Sequence, residues 1–489
     1  MNETRIPNGP SGARRFPSEL CRTLSTRKQA VQIVAVLTAI AISLGIGGLY
    51  ADEPFISIYP MLMWLLSVGT CFGVLYLAQG PRVIRFDGMW IWLSVLFIVA
   101  LILRLFKLQT LPPGFHVDES GLVDFTLRHV FHPSIPGQTL NPFRTATDSQ
   151  PIMFAYIVYA SVRLAGLTLA GARISSAIAG ALAVPAVFLL VNEAAGRRTA
   201  WLTAVLMAVY HYHVHWSRIV LNNIWVTLLM PLVLGFFLLG WRKKWTGGAA
   251  FAGLFLGFSA YFYAGGYIII LLMPIIIWQL WHRADDRAGF GIYTAKMVAL
   301  ALVVAGPLLI FAARFPNDFF ARAGTIAAWK PRAIEVTVGR PDAYGEFFIY
   351  QLKHSLGAYN VYSDVPGFYA PGIPFLIGMA SILFLLGIGW AIYEKQALPL
   401  IWIGLVTFLG GFMVVGSPAS SHFIAAVPAI CWLIAIPLNR LIAGKRAGWV
   451  YALLAMIIFL DLFFYFFIYA GNPSPELSEA FPLVEPYIP

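Results

Sequence analysis

Charge is what this sequence has least of. Of its 489 residues only 11% are Asp, Glu, Lys or Arg, while 59% are hydrophobic; an ordinary soluble chain is about a quarter charged. With a mean hydropathy of +0.77, too little polar surface exists to coat several water-exposed domains, which excludes a soluble, disordered, collagenous or coiled-coil protein. Cysteine is nearly absent. Cys21, Cys71 and Cys431 fall in the N-terminal tail and in apolar segments, so neither a disulfide framework nor a CxxC metal motif exists. Walker motifs and Gly-rich strand-to-helix fingerprints are also missing. No small-residue cleavage site follows the first apolar run, 30–50, which therefore reads as a retained anchor. The formal charge of +11 comes from Lys and Arg scattered in short groups between apolar runs. That pattern belongs to membrane orientation and argues against nucleic acid as a partner.

What is present is a series of apolar runs of span length, about 20 residues each. They lie near 30–50, 56–80, 89–107, 173–192, 199–216, 220–240, 248–264, 267–281, 291–312, 371–392, 397–415, 422–438 and 447–470, thirteen in all. The expected fold is an all-α polytopic membrane protein. With the N-terminus in the cytoplasm, 19 of the 33 basic residues fall in cytoplasmic segments. Segment 151–170 is apolar enough to cross and would invert every later loop. Beyond it, however, the cytoplasmic short loops hold eleven basic residues against one, Arg218, in the external ones. The segment is therefore expected to lie in the interface, with Tyr156, Tyr159 and Arg163 reaching headgroups. The expected organisation is a basic tail 1–29, two additional N-terminal helices 30–88, a central transmembrane module 89–312, C-terminal helices 371–470 and an external tail 471–489. Two long external loops, 108–172 and 313–370, are too long to be mere connections and are expected to carry function and interfacial helices.

The first loop opens with "LPPGFHVDESGLVDF", which delivers Asp118 and Glu119 just above the membrane surface. Such a pair can hold a metal, can divide the work of a base and an orienting group, or can simply favour a helix N-terminus. Farther on, Asp148 stands before Pro151, either as a third acid of the site or as a helix cap. Arg173 begins the next span, and "YHYHVHWSRIVLNN" brings His211, His213, His215 and Arg218 to the same face. His211 and His215, one helical turn apart, can join a loop carboxylate on a divalent metal or stand as interfacial histidines without one. Arg322, Lys330 and Arg332 in the second loop are further cations, for a phosphate or for a solvated face.

The order of these pieces resembles the membrane glycosyltransferases of the GT-C superfamily, specifically glycosyltransferase family 39, the protein O-mannosyltransferases and aminoarabinose transferases. The resemblance runs from about Pro112 to Trp241, and more loosely through "YSDVPGFYAPGIPFLIGMASILFLLGIG" to the twelfth span. It implies the GT-C fold, with Asp118 as the acid that activates an acceptor hydroxyl, Glu119 beside it and Asp148 as the second acid. Asp148 stands ahead of a Pro-Pro-Leu-like motif that here reads Gln150, Pro151, Ile152. Ser149 replaces the family's usual basic residue, and His422 stands where relatives often carry Arg, a weaker and pH-dependent cation.

Chemistry independent of the resemblance points the same way. Nucleotide sugars are cytoplasmic, so an external site must use an activated donor held in the membrane, and a polyprenyl-phosphate sugar fits. A carboxylate then takes the proton of an acceptor glycan, lipid or protein, and cations among Arg173, Arg218, Arg322, Lys330 and His422 stabilise the departing phosphate. The expectation is transfer with inversion at the extracytoplasmic face of a plasma membrane, with no certain cofactor and a divalent metal ion left open as an alternative. The competing class, a transporter or lipid flippase, would place ionisable groups along helices at the bilayer midplane. Here Asp461 and Lys296 are the clear within-span charges, and the acids concentrate in two external loops.

Overall fold

The computed structural model describes residues 18–77, 88–131, 137–146, 150–365, 369, 371–442 and 447–469, with side chains omitted for 18–28 and 447. Helix α1 (Ser18–Tyr50) begins inside the basic tail and includes the first expected span. After strand β1 (Phe55–Ser57) come α2 (Ile58–Leu77) and α3 (Gly88–Leu105). The first loop then folds as α4 (Val117–His129), strand β2 (Gln138–Leu140) and α5 (Met153–Ala165). Helices α6 (Leu169–Ala195), α7 (Arg197–Val209), α8 (His211–Trp216), α9 (Trp225–Arg242), α10 (Thr246–Ser259), α11 (Ile268–Arg283) and α12 (Arg287–Arg314) form the central bundle. The second loop holds α13 (Pro316–Ile326), α14 (Pro331–Val338) and α15 (Tyr344–Gly357). Last come α16 (Gly378–Tyr393), α17 (Ala397–Val406), α18 (Ser420–Phe423), α19 (Val427–Ile442) and α20 (Ala447–Phe463), with α17 and α20 each running on into a π-helical turn.

Each of the thirteen expected spans carries helix. Nine helical stretches among the described residues are long and apolar enough to cross a membrane, and α5, α10, α16 and the α17 stretch are shorter apolar helices. At 1.5 Å per residue the 13 residues of α5 reach only about 20 Å, short of a hydrocarbon core of about 30 Å.

Two features depart from the expectation. The fifth span is not one helix: it breaks at Tyr210, where ψ turns to 115°. The buried guanidinium of Arg104 donates to the carbonyls of Ala208 (3.0 Å) and Met207 (3.4 Å), satisfying the carbonyls that the break sets free. The all-α fold also contains a small antiparallel ribbon pairing Phe55 with Leu140, Ile56 with Thr139 and Ser57 with Gln138. Asn141 extends it, donating through Nδ2 to the carbonyls of Tyr50 (2.8 Å) and Glu53 (2.9 Å). The first loop is thereby tied to the α1–α2 connection.

Small residues set the helix spacing. A Cβ on Gly47 of α1 would come within 2.8 Å of the Pro307 Cα of α12, and one on Gly248 of α10 within 2.4 Å of the Gly240 Cα of α9. Close backbone approach gives dispersion contact where helices gain nothing from excluding lipid. The Ser43 hydroxyl and the Trp64 indole bond carbonyls of α12 (Val303, 2.6 Å; Val304, 3.0 Å), so the two N-terminal helices are integral to the packing.

Candidate active site

The start of α4 separates the two adjacent acids. His116 is its N-cap: Nδ1 accepts from the Asp118 N–H (3.1 Å), while the His116 N–H donates to Glu119 Oε2 (3.2 Å). This reciprocal capping leaves successive residues about 100° apart around the helix. Glu119 turns inward and is fully buried, and Asp118 turns outward, exposed, into a cavity of about 1090 Å³.

Glu119 is enclosed by partners. It accepts from Arg173 Nε (2.9 Å) and Nη2 (2.8 Å) and from the Val220 N–H (2.7 Å). Arg173, also fully buried, spends its remaining reach on the carbonyls of Pro112 (3.0 Å) and Gly114 (2.8 Å). Arg218 donates to the carbonyls of Leu103 (2.7 Å), Arg104 (3.0 Å), Phe106 and Leu111 (3.0 Å), capping the end of α3. None of these three charged residues lines the cavity. Glu119, expected beside Asp118 as a catalytic acid, and Arg173 and Arg218, expected at a donor phosphate, form a buried brace between α3, α4 and α6.

The cavity is lined instead by Asp118 from α4, Arg322 from α13 and His422 from α18. Arg322 is near enough to Tyr263 and His422 to act on both, and His422 Nδ1 is buried without a hydrogen bond among the described residues.

Asn222 and Asn223 join the walls. Asn222 Nδ2 donates to Gln150 Oε1 (2.9 Å) and the Phe262 carbonyl (3.1 Å), and Asn223 Nδ2 to the Ser421 carbonyl (3.0 Å). On another side the lining is apolar. Ile270, Leu271, Leu309 and Phe320 line the cavity while being 42–56% exposed on the outer surface of α11, α12 and α13. A polar end with charged groups therefore grades into a flank open to hydrocarbon.

The remaining expected site residues lie elsewhere. Lys330 is exposed at the start of α14 and donates to the Gly324 carbonyl, away from the cavity. Asp148 and Ser149 lie outside the described residues. His211 and His215 form a socket for Tyr369 of the second loop: His211 Nδ1 is 2.6 Å from the Tyr369 hydroxyl, and the His215 ring stacks on the tyrosine at 4.5 Å. The His211 N–H bonds Asp461 Oδ1 at 3.1 Å. His213 faces the other way, with Nδ1 2.7 Å from Arg104 and Nε2 3.0 Å from Thr227. Among the described residues no three His, Cys, Asp or Glu side chains gather as a group that could hold a metal.

This arrangement can be set beside known proteins. A sequence profile described as Dolichyl-phosphate-mannose-protein mannosyltransferase matches residues 149–311. The apo structure of ArnT from Cupriavidus metallidurans superimposes with a TM-score of 0.50 at 15% identity, covering 76% of this chain and 63% of that one. The chain has the GT-C fold. ArnT bound to undecaprenyl phosphate gives a TM-score of 0.45 at 16% identity, over 75% of this chain and 62% of the other. The oligosaccharyltransferase AglB from Archaeoglobus fulgidus, in complex with an inhibitory peptide and a dolichol-phosphate, gives 0.47 at 17% identity, over 78% and 56%. The chain thus spans about three fifths of the length of these structures. No curated protein sequence matches it significantly.

Within this GT-C bundle the profile covers Asn222, Asn223, Tyr263 and the α11 and α12 walls, whereas Asp118, Arg322 and His422 lie outside it. Asn222, Asn223 and Tyr263 have no place in the sequence reading, and Gln150 enters it only within the Pro-Pro-Leu-like motif. Neutral polar residues carry no periodic signal, and the only hint was the "SRIVLNN" segment, from which Arg218 alone was taken.

Proposed function

We propose that this protein is a membrane glycosyltransferase that moves a sugar from a polyprenyl-phosphate donor to a hydroxyl of an acceptor glycan, lipid or protein, with inversion, at the extracytoplasmic face of a plasma membrane. One observation carries the reading: a single cavity presents a carboxylate and two basic side chains at its polar end and opens along an apolar flank on the outer surface of α11 and α12. The flank suits an isoprenoid tail and the basic end suits its phosphate. The profile match, whose description names a polyprenyl-phosphate sugar as donor, supports this.

In the proposed reaction the acceptor oxygen attacks the anomeric carbon, its proton passes to Asp118, and the bond from that carbon to the phosphate oxygen breaks with its electron pair leaving on the phosphate. Arg322 and His422 face the charge that develops there. Glu119, Arg173 and Arg218 do not touch substrate; they position α4 and so keep Asp118 at the wall. The catalytic module is 89–312, with the first long loop 108–172 inside it, and the second loop, 313–370, supplies Arg322.

A deletion strain is expected to accumulate one polyprenyl-phosphate sugar, detectable by mass spectrometry of its lipids; the absence of any such lipid would count against the function. With that donor, Asp118→Asn in reconstituted protein should lower transfer by about 100-fold while donor binding persists. Near-wild-type turnover would remove Asp118 as the base.

A further inference from the structure

The segment that carries His422 to the cavity is held from one side by the second loop along a seam of hydrogen bonds. The Ala328 N–H donates to the Met413 carbonyl (3.0 Å) and the Val415 N–H to the Ile326 carbonyl (2.9 Å). Gln351 Nε2 donates to the carbonyls of Val414 (2.9 Å) and Phe412 (3.1 Å), and the Ser355 and Ser417 hydroxyls lie 3.0 Å apart. The Val365 N–H then reaches the Pro418 carbonyl (3.0 Å). At the end of the seam stands Asp364, 8% exposed. Its carboxylate accepts the Ser420 N–H and the Ser420 hydroxyl, both at 2.6 Å, and the Tyr369 N–H at 3.1 Å.

Asp364 brings charge to a seam otherwise made of neutral groups, and a bond to an ionised acceptor is roughly twice as strong as a neutral one. Ser420 is followed directly by Ser421, whose carbonyl anchors Asn223, and by His422 in the cavity wall. The same carboxylate holds the backbone of Tyr369, whose ring fills the His211 and His215 socket. A single buried acid thus fixes both the second loop and the edge of the cavity.

We propose that Asp364 is a positioning residue for the donor phosphate: by holding the Ser420 amide and hydroxyl it sets His422 at the cavity wall. This rests on the reading of the cavity as a polyprenyl-phosphate site. The test uses the full chain in nanodiscs, with undecaprenyl phosphate as the binding probe and hydrogen exchange read over residues 418–424. Asp364→Ala should speed exchange in that stretch and weaken undecaprenyl-phosphate binding by about tenfold. Asp364→Asn, which keeps one acceptor oxygen, should fall between, and it carries the test if the alanine variant does not fold. In a His422→Ala background the Asp364 substitution should change affinity by less than about twofold, because the partner it serves is gone. The same loss of affinity with and without His422 would overturn the proposal, as would unchanged exchange, or faster exchange with unchanged affinity. Failure of the wild-type protein to bind the probe would instead overturn the reading of the cavity, and exchange would still report whether Asp364 holds the segment.

Discussion

Asp118 and Glu119 are neighbours in sequence and belong to different regions of the molecule. On the Glu119 side, Glu119 and Arg173 bond one another and backbone groups, and Arg218 is buried against four backbone carbonyls. On the Asp118 side, Arg322 and His422 face an open cavity. The residue types are alike and the surroundings opposite. A buried charge held by several hydrogen bonds holds the fold, whereas a charge that lines space large enough for a ligand can meet one.

The contrast is sharpest in stability. Arg173→Ala leaves Glu119 buried and uncompensated, which should cost about 3–5 kcal/mol, read as a lowered melting temperature in detergent. Replacing both partners by apolar residues of similar volume should recover much of that loss. A melting temperature unchanged in Arg173→Ala would erase the distinction between the two regions. Arg322→Ala should do the reverse: it should keep the melting temperature and weaken undecaprenyl-phosphate binding by about 10- to 100-fold, the range for one charge-assisted hydrogen bond. If Arg322→Ala instead unfolds the protein with binding intact in the folded fraction, Arg322 belongs with the brace. Smallest is the effect expected at Lys330, exposed and outside the cavity. Lys330→Ala should stay within about 0.5 kcal/mol in stability and leave probe affinity alone; a tenfold loss of affinity would mean that the second loop brings Lys330 to the site when donor is bound.

The helical spans were legible because apolar runs of fixed length are what a bilayer demands of each segment by itself. The break at Tyr210 was not, since it depends on Arg104 reaching from a helix about a hundred residues earlier. The 55–57 and 138–140 strands are three residues each, too short to show alternation. Among the site residues, Asp118, Arg322 and His422 were named from sequence and do line the cavity. Arg173, Arg218 and Lys330 were named with them and do not line it, because a sequence shows that an arginine exists without showing how many carbonyls surround it. The "HYHVH" spacing correctly put His211 and His215 on one side and His213 on the other. That His211 and His215 would receive Tyr369 had no local signature.

The ribbon of the first loop also bears on how the chain is made. Residues 55–57 are synthesised about 80 residues before their partners at 138–140, and chains assemble from the N-terminus during synthesis. The α1–α2 hairpin is therefore a template already standing when the loop emerges behind α3. Side chains alternate along a strand, so capture one residue out of register would swing Thr139 to the opposite face. Thr139 there would lose the Val130 carbonyl and the Tyr156 hydroxyl that its own hydroxyl now meets. Three residue pairs thus tie the register of the ribbon to the place of α5.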